Sequence, residues 1–295
     1  MSDEATTMAV CLAREINEAD LVGIGLGTPL ALAAALLARR THARGAHLFT
    51  GGMVVRPQAD LLSITLGASA LAGRFTGFVS HLETMEMAER QRMTLQFLRP
   101  AEVDGSGNIN TSRIVGADGA LTRLPGGLAS ADVPKLLPRL VLYHTDHRLR
   151  SLPAAVSFIT GAGGGDPDRG AAGPVRLITN RAVFSFECGR ARLHSVHPGH
   201  TVEEVLESTG FRCDVEGVVQ TDEPTAFELE QLRIVDELEL AELEFRSTRR
   251  AAAARLARAL AQVEIDDSRD VADPQRACEG EAPPTKQRQE TRCQR

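Results

Sequence analysis

Four stretches carry groups that could do chemistry. Glu102-Val103-Asp104 leads into a glycine turn that ends in Asn108 and Asn110. An asparagine amide leaving such a turn can donate to a developing oxyanion. Glu102 is a carboxylate placed for general acid or base work. The same spacing also describes an ordinary Asn–Gly turn with a capping or solvated carboxylate. Gly126, Gly127 and Ala129 lie in what reads as a tight glycine loop before a short helix. Gly25 and Gly27 follow the apolar run Leu21–Ile24, and Gly51 and Gly52 follow Ala46–Thr50. Glycines at strand ends let a ligand approach the backbone closely.

Other suggestive residues carry less. His194, His197 and His200 are spaced three apart, but Pro198 and Gly199 break the helix that would bring them together, and no nearby carboxylate completes a ligand set. No metal site is expected. His144-Thr145-Asp146-His147 fits a strand-end loop. Gly161–Gly165 lacks the Lys-Ser or Lys-Thr of a phosphate loop and reads as a flexible surface loop.

The elements that must position these groups alternate. Apolar spacing predicts a helix over Met8–Ala19, a strand over Leu21–Ile24, and a helix from Pro29 to Arg40 with Thr28 as N-cap. Further strands are predicted at Ala46–Thr50, Thr94–Leu98, Arg139–His144, Val156–Ile159 and Val175–Thr179. A hairpin is predicted from Ala182–Phe186 and Arg192–Val196. Helices are predicted at Ser80–Gln91, Ser130–Leu137, Thr201–Ser208 (Thr201 and Glu204 in capping-box spacing) and Thr225–Gln262. Repeated strand–glycine loop–helix units imply an α/β fold with a mainly parallel sheet covered by helices. Ligands on such sheets sit outside the carboxyl ends of the strands.

Composition narrows the class. The 295 residues are 43% hydrophobic, with net charge -6 and a pI near 5.8. So acidic a chain does not advertise nucleic-acid binding. The apolar run through Ala31–Ala38 is far short of the roughly 20 residues a membrane span needs. The N-terminus lacks a basic stretch leading into an apolar segment, so no secretory signal is expected. The five cysteines are scattered without zinc or redox spacing and read as free thiols in a reducing cytoplasm. Ala251–Arg295 holds eight basic and eight acidic residues and no aromatic one. Residues 247–262 are expected as a helical extension and 263–295 as a disordered tail.

Several segments resemble the β subunit of class I CoA-transferases, the glutaconate and 3-oxoacid type, and they occur in that family's order. These are Gly23-Ile24-Gly25-Leu26-Gly27-Thr28-Pro29, the Glu102–Asn110 turn and Pro125-Gly126-Gly127-Leu128-Ala129-Ser130-Ala131-Asp132. Val175–Phe186, His197-Pro198-Gly199, Thr209-Gly210-Phe211 and the Pro224–Arg233 tail complete the series. The resemblance covers about residues 8 to 246. It implies the three-layer α/β/α domain shared with certain sugar-phosphate isomerases, a partner α subunit, and an acyl-CoA substrate with no further cofactor. It also implies that Gly25, Gly27, Gly51, Gly52, Gly126, Gly127 and Ala129 line the substrate site.

In that family a glutamate at the end of an early strand attacks the acyl-CoA and carries CoA as a thioester. The matching position here is Thr50, and no acidic residue lies between Thr41 and Gln58. A threonine hydroxyl is hardly ionised at neutral pH, so Thr50 is expected to line the pocket rather than to carry CoA. Glu102, Asn108 and Asn110 then become the remaining candidates for acid–base and oxyanion roles. Family members without the glutamate are associated with hydrolysis, decarboxylation or C–C cleavage of acyl-CoAs. Two readings from other classes stand beside these: a non-catalytic structural β subunit, and a ligand-sensing domain of the kind found in some transcription regulators. No helix-turn-helix precedes residue 8, which counts against the second.

Overall fold

The protein is described from a computed structural model, which defines residues 1–50, 53–55, 77–116, 119–164, 168, 173–187 and 189–271. Two compact units are distinguished, Met1–Ala253 and Ala254–Arg295.

The first unit is built on a ten-stranded sheet. Its parallel centre consists of β1 (Leu21–Gly23), β2 (His47–Thr50), β5 (Leu95–Leu98), β10 (Arg139–His144) and β11 (Pro174–Thr179). Antiparallel strands extend it on both sides. They are β3 (Met53–Val55) and β4 (Gly77–Phe78) beyond β2, and β12 (Ala182–Glu187) and β13 (Arg190–Val196) beyond β11. Strand β14 (Val219–Gln220) closes the far edge, so the order is β14-β13-β12-β11-β10-β5-β1-β2-β3-β4. Hairpins β6 (Glu102–Val103) with β7 (Ile109–Asn110), and β8 (Arg113–Val115) with β9 (Leu121–Arg123), stand outside it.

Alternation along the strands splits the core into layers. Val141 and Tyr143 of β10 point into one apolar layer with α1 (Asp3–Arg14), α2 (Pro29–Thr41) and α6 (Ala226–Val235). Leu140 and Leu142 point into the other, with the β6–β7 hairpin and α5 (Val202–Glu207). Phe49, Ala88, Met93 and Leu137 join α3 (His81–Glu89) and α4 (Val133–Leu136) in a third cluster. The expected three-layer α/β/α architecture is therefore present. Helix α2 is buried all round from Pro29 to Ala38, because α1, α6 and the 3₁₀ turn Leu240–Glu244 pack on it and strand residues such as Leu48 and Phe97 share its apolar cluster. Each of Leu30, Leu32, Leu36 and Leu37 is at most 1% exposed, a burial worth about 1.5–3 kcal/mol per side chain.

Several expectations need correction; helix α1, for one, spans Asp3–Arg14 rather than Met8–Ala19. Val156–Ile159 is not a strand; its backbone N–H groups at Val156 and Ser157 are taken by the carboxylates of Asp104 and Glu102 instead of a ladder. The predicted helix Thr225–Gln262 is broken. Asp236 ends α6 by accepting from Leu240 N (2.6 Å) and Ala241 N (3.0 Å), Glu239 turns into the left-handed region at φ 53°, and a 3₁₀ turn spans Leu240–Glu244. Helix α7 (Arg249–Val271) then runs on past Gln262 into the stretch expected to be disordered. No glycine or proline interrupts the chain before Pro274, so nothing local stops an alanine-rich helix from propagating. Residues 272–295 lie outside the described residues.

Candidate active site

The carboxyl ends of β1, β2, β5 and β10 gather the candidate groups into two clusters. The first surrounds the loop after β1. Ile24 N donates to Phe49 O (2.8 Å), which ties the loop to β2. Gly27 sits at φ +67°, a conformation that favours glycine, and Leu26 at the tip is exposed. Thr28 does not cap α2 with its side chain as expected; its hydroxyl donates back to Gly25 O (2.7 Å) and closes the loop. The helix N-terminus is served by Glu244, whose Oε1 accepts from Leu30 N at 2.8 Å.

Glu244 is not visible as a site residue in the sequence, because it falls within what reads as one long helix. Its side chain is 2% exposed, and Oε2 accepts from Tyr143 OH (3.0 Å) and faces Arg99 Nε at 3.1 Å. Burial raises the Glu244 pKa, opposed by Arg99 and the Leu30 N–H. Tyr143 is the only tyrosine, and burial with the nearby Glu244 holds its hydroxyl protonated. His144, beside them, is pushed down to about 4 by burial and Arg99. A lone tyrosine ending an apolar strand is the one available signal, since a buried hydroxyl requires a partner.

Thr50 is the last residue of β2 and pairs with Met53 of the antiparallel strand β3. Gly51 and Gly52, two of the expected substrate-binding positions, lie outside the described residues.

The second cluster holds Glu102, Asn108, Asn110 and the Gly126–Asp132 loop. Asn110 is fully buried. Its Nδ2 donates to Glu102 Oε2 (2.7 Å) and to Arg113 O (2.6 Å), while Oδ1 accepts from Ser112 N (3.0 Å) and Arg113 N (3.2 Å). Its amide is thus saturated within the protein. Glu102, also buried, accepts from Asn110, from Ser157 N (2.8 Å) and from the Ser157 hydroxyl (2.6 Å). Asn108 is half-buried; its Nδ2 donates to Asp104 Oδ2 (3.0 Å) and its Oδ1 accepts from Gly163 N (3.0 Å). Gly161 N donates to Ile109 O (3.2 Å) and Ile109 N to Gly161 O (2.9 Å). The Gly161–Gly164 stretch is therefore bonded into this hairpin, not a free surface loop.

The glycine loop joins the same cluster. Gly126 N donates to Thr111 O (3.0 Å), Thr111 N donates to Thr160 Oγ1 (3.0 Å), and Ser112 and Thr160 share a hydroxyl contact at 2.7 Å. Ser130 N turns back to Gly127 O (2.7 Å) and Asp132 N to Ala129 O (3.0 Å). Among the described residues the N–H groups of Gly127 and Leu128 make no hydrogen bond, so these two remain able to serve a ligand oxygen. Leu128 holds φ +42° and is 90% exposed. The loop thus offers backbone donors, whereas Asn110 and Glu102 brace it.

The histidines do not converge. His194 is exposed, while His197 is buried between Thr179 O and the Thr221 hydroxyl at 2.9 Å each. Among the described residues no group of His, Cys, Asp or Glu is placed to hold a metal ion. Cys11 and Cys213 are free thiols, and no helix among the described residues is long and apolar enough to cross a membrane.

No family model matches the chain. Among curated proteins it is similar to the β subunit of 3-oxoadipate CoA-transferase from Pseudomonas knackmussii, with 30% identity over 241 residues, 78% of this chain and 91% of the relative. It is also similar to the β subunit of glutaconate CoA-transferase from Acidaminococcus fermentans, with 26% identity over 235 residues, 73% of this chain and 85% of the relative. Among solved structures, the decarboxylase AibA/AibB superposes with a TM-score of 0.73 at 27% identity, covering 82% of this chain and 98% of that one. The ordered motifs, the layered sheet and these likenesses agree, and the chain belongs to the class I CoA-transferase family as a β-type subunit of an enzyme.

Proposed function

We propose that this chain is the β half of a two-chain enzyme that binds an acyl-CoA thioester at the carboxyl edge of its sheet, and that no CoA is carried covalently on this chain. The observation that carries this reading is Thr50 at the end of β2, where the family resemblance places the glutamate. The thioester oxygen, where charge develops in any acyl transfer or enolate-forming step, is received by the backbone N–H groups of Gly127 and Leu128. Transfer of CoA is the family's default reaction, and the names of both curated relatives support it. It then needs a carboxylate from outside this chain, supplied by an α subunit or by the acceptor acid itself.

Decarboxylation is the second reading. It is favoured by the likeness to AibA/AibB, a decarboxylase by name, and by Thr50, because an enolate-forming step requires oxyanion donors but no carboxylate relay.

Co-purification with the α partner, incubation with acyl-CoAs and mass spectrometry of both chains, before borohydride and again after it has reduced any enzyme–CoA thioester to the alcohol with release of CoA, test the proposal. Product should form with no CoA adduct on this chain. Appearance of free carboxylate-for-carboxylate exchange marks transfer, and release of carbon dioxide marks decarboxylation. A CoA adduct on any carboxylate of this chain overturns the reading. Thr50→Glu restores the side chain that covalent transfer requires and should create a trappable adduct.

A further inference from the structure

We propose that the face of the antiparallel strands turned towards the α1 side carries a second ligand site, separate from the catalytic edge, in which Arg176, Ser185, Arg192 and His194 seat the phosphate group of a small phosphomonoester.

The strand register builds the seat. Arg176 of β11 stands opposite Ser185 of β12, and Ser185 stands opposite Arg192 of β13. Side chains directly opposite one another share a face of the sheet, so one hydroxyl is flanked by a guanidinium on each side. Leu177, Phe184 and Leu193, the next residues along, point into the layer of α5. The row therefore faces the other way, to the side on which Ile178 and Val183 join the layer of α1. β12 lies five strand spacings, ~24 Å, from β2 and Thr50, so the row is no part of the catalytic edge.

Arg176, Ser185, Arg192 and His194 line a cavity of about 320 Å³. Arg176 and His194 also line an adjoining one of about 380 Å³, which has Ile178 and Val183 in its wall. A polar seat thus opens beside an apolar wall, the arrangement that suits a phosphate on a small organic body. Ser185 is 4% exposed, yet its hydroxyl, reached from the cavity, makes no hydrogen bond among the described residues. A buried hydroxyl ordinarily has a partner, and here the cavity is the place from which one can come.

The flanking groups have donors to spare. Arg176 faces Glu15 only through Nε, at 3.5 Å, which leaves its two Nη groups for a second anion. Arg192 is anchored by Nη2 on Glu216 O at 2.6 Å, and its remaining N–H groups stay available. Burial, and then the nearness of Arg176 and Arg192, lower the His194 pKa, so these three groups converge. Two guanidinium groups, a hydroxyl and an imidazole approach from different sides, which matches the several oxygens of a phosphate better than a planar carboxylate.

The charges near the seat leave room for an anion. Glu187 stands opposite Arg190 in the hairpin, and Glu15 is shared between Arg176 and Arg139. Arg176, Arg190 and Arg192 therefore outnumber these two carboxylates. In the adjoining cavity Arg14 is already taken by Glu228, at 2.9 and 3.0 Å, and Asp222 keeps that end acidic. The anion belongs at the Ser185 end.

A phosphomonoester, free phosphate and the phosphates of CoA share this chemistry, and the test separates them. The full chain, co-purified with its α partner, is titrated in a calorimeter with phenyl phosphate, inorganic phosphate and CoA. Phenyl phosphate should bind saturably, once per chain, and more tightly than inorganic phosphate. Arg176→Gln and Arg192→Gln should each weaken it about 10-fold or more, and Ser185→Ala about 3–10-fold. CoA should bind all three variants as it binds the wild type. Without ligand, Ser185→Ala should leave the urea midpoint unchanged, because its hydroxyl has no partner to lose; a serine with a purely structural role would lower it. Arg176→Gln also disturbs Glu15, whereas Arg192→Gln and Ser185→Ala leave that pair intact. Inorganic phosphate binding as tightly as phenyl phosphate assigns the seat to free phosphate and overturns the phosphomonoester. Weakened CoA binding in the same variants assigns it to the substrate's own phosphate and overturns a separate site. Absence of saturable phenyl phosphate binding, or binding that all three variants leave unchanged, overturns the seat itself.

Discussion

Glu102 and Asn110 face each other twice, once as paired backbone positions of the β6–β7 hairpin and once through a 2.7 Å bond from Asn110 Nδ2 to Glu102 Oε2. The double link makes the pair a brace for the turn that carries Asn108. Removing one partner strands buried donors. Glu102→Ala leaves Asn110 Nδ2 one acceptor short and Ser157 N without its carboxylate, at about 1–3 kcal/mol per buried group. We therefore expect Glu102→Ala to lower unfolding free energy by roughly 2–4 kcal/mol in urea titrations. Equal stability with lost turnover would instead return Glu102 to an acid–base role.

Gly163 gives a second test of how this cluster is assembled. A Cβ there would lie 2.1 Å from Ser106 O and 2.4 Å from the Gly107 carbonyl carbon, both backbone atoms that cannot swing aside. Gly163→Ala should therefore separate the loop from the Asp104–Asn108 turn and break the Gly163 N to Asn108 Oδ1 bond. A loss of ~2 kcal/mol or more is expected, together with increased hydrogen exchange at Gly163 and Asn108. Gly164→Ala, where a Cβ meets nothing within 4 Å, is the matched control and should be nearly neutral.

What the sequence revealed follows how local each signal is. Strand β2, helix α2 and the Thr201–Glu204 capping box depend on neighbours a few residues apart, and all appear where patterning put them. Glu102 and Asn108 each also have a distant partner, Ser157 and Gly163, 55 residues away, and no spacing rule links them. Glu244 is hidden for the same reason: Leu30 and Arg99, its partners, are brought to it only by the break after Asp236. Apolar periodicity runs smoothly through that break, because Asp236 stops the helix by hydrogen bonding to Leu240 and Ala241 rather than by being a glycine or proline.

Leu128 is strained in the glycine loop. At φ +42° a branched side chain crowds the following backbone, a cost of roughly 1–2 kcal/mol. It is 90% exposed, so it repays little through burial. Leu128→Gly should raise stability by about 0.5–1 kcal/mol after the extra entropy of glycine in the unfolded chain is counted. The melting temperature should rise by roughly 1–3 °C in a protein of this size. Fully retained turnover at that higher stability would show that the side chain itself does no work. A drop in turnover would show that Leu128 contacts substrate or the partner.

Three histidines, His147 and His197 buried and His144 half-buried, set the acid limit. Burial pushes His144 and His197 down to about 4 and, with Arg181 nearby, His147 down to about 3. Thr179 holds two of them, with its hydroxyl at 2.8 Å from His147 Nδ1 and its carbonyl accepting from His197 Nε2 at 2.9 Å. In the unfolded chain each titrates near 6.5. Folded-state values below the unfolded ones mean that the unfolded chain takes up protons first as pH falls. Their stabilising contribution is complete above pH ~6.5 and declines as pH drops from there towards 4, by up to ~1.4 kcal/mol per pH unit for each histidine. Glu15, Asp236 and Glu244, whose pKa values burial raises, work in the opposite direction and soften the slope. His147→Gln removes one titrating group while leaving a side chain that can reach the threonine hydroxyls. It should lower stability at pH 7 yet flatten the decline between pH 6.5 and 4.5 by close to one proton's worth, measured as unfolding free energy in urea at half-unit pH steps. An unchanged slope would mean that His147 is already protonated in the folded protein, with both ring nitrogens donating to Thr179 and Thr209 despite its burial.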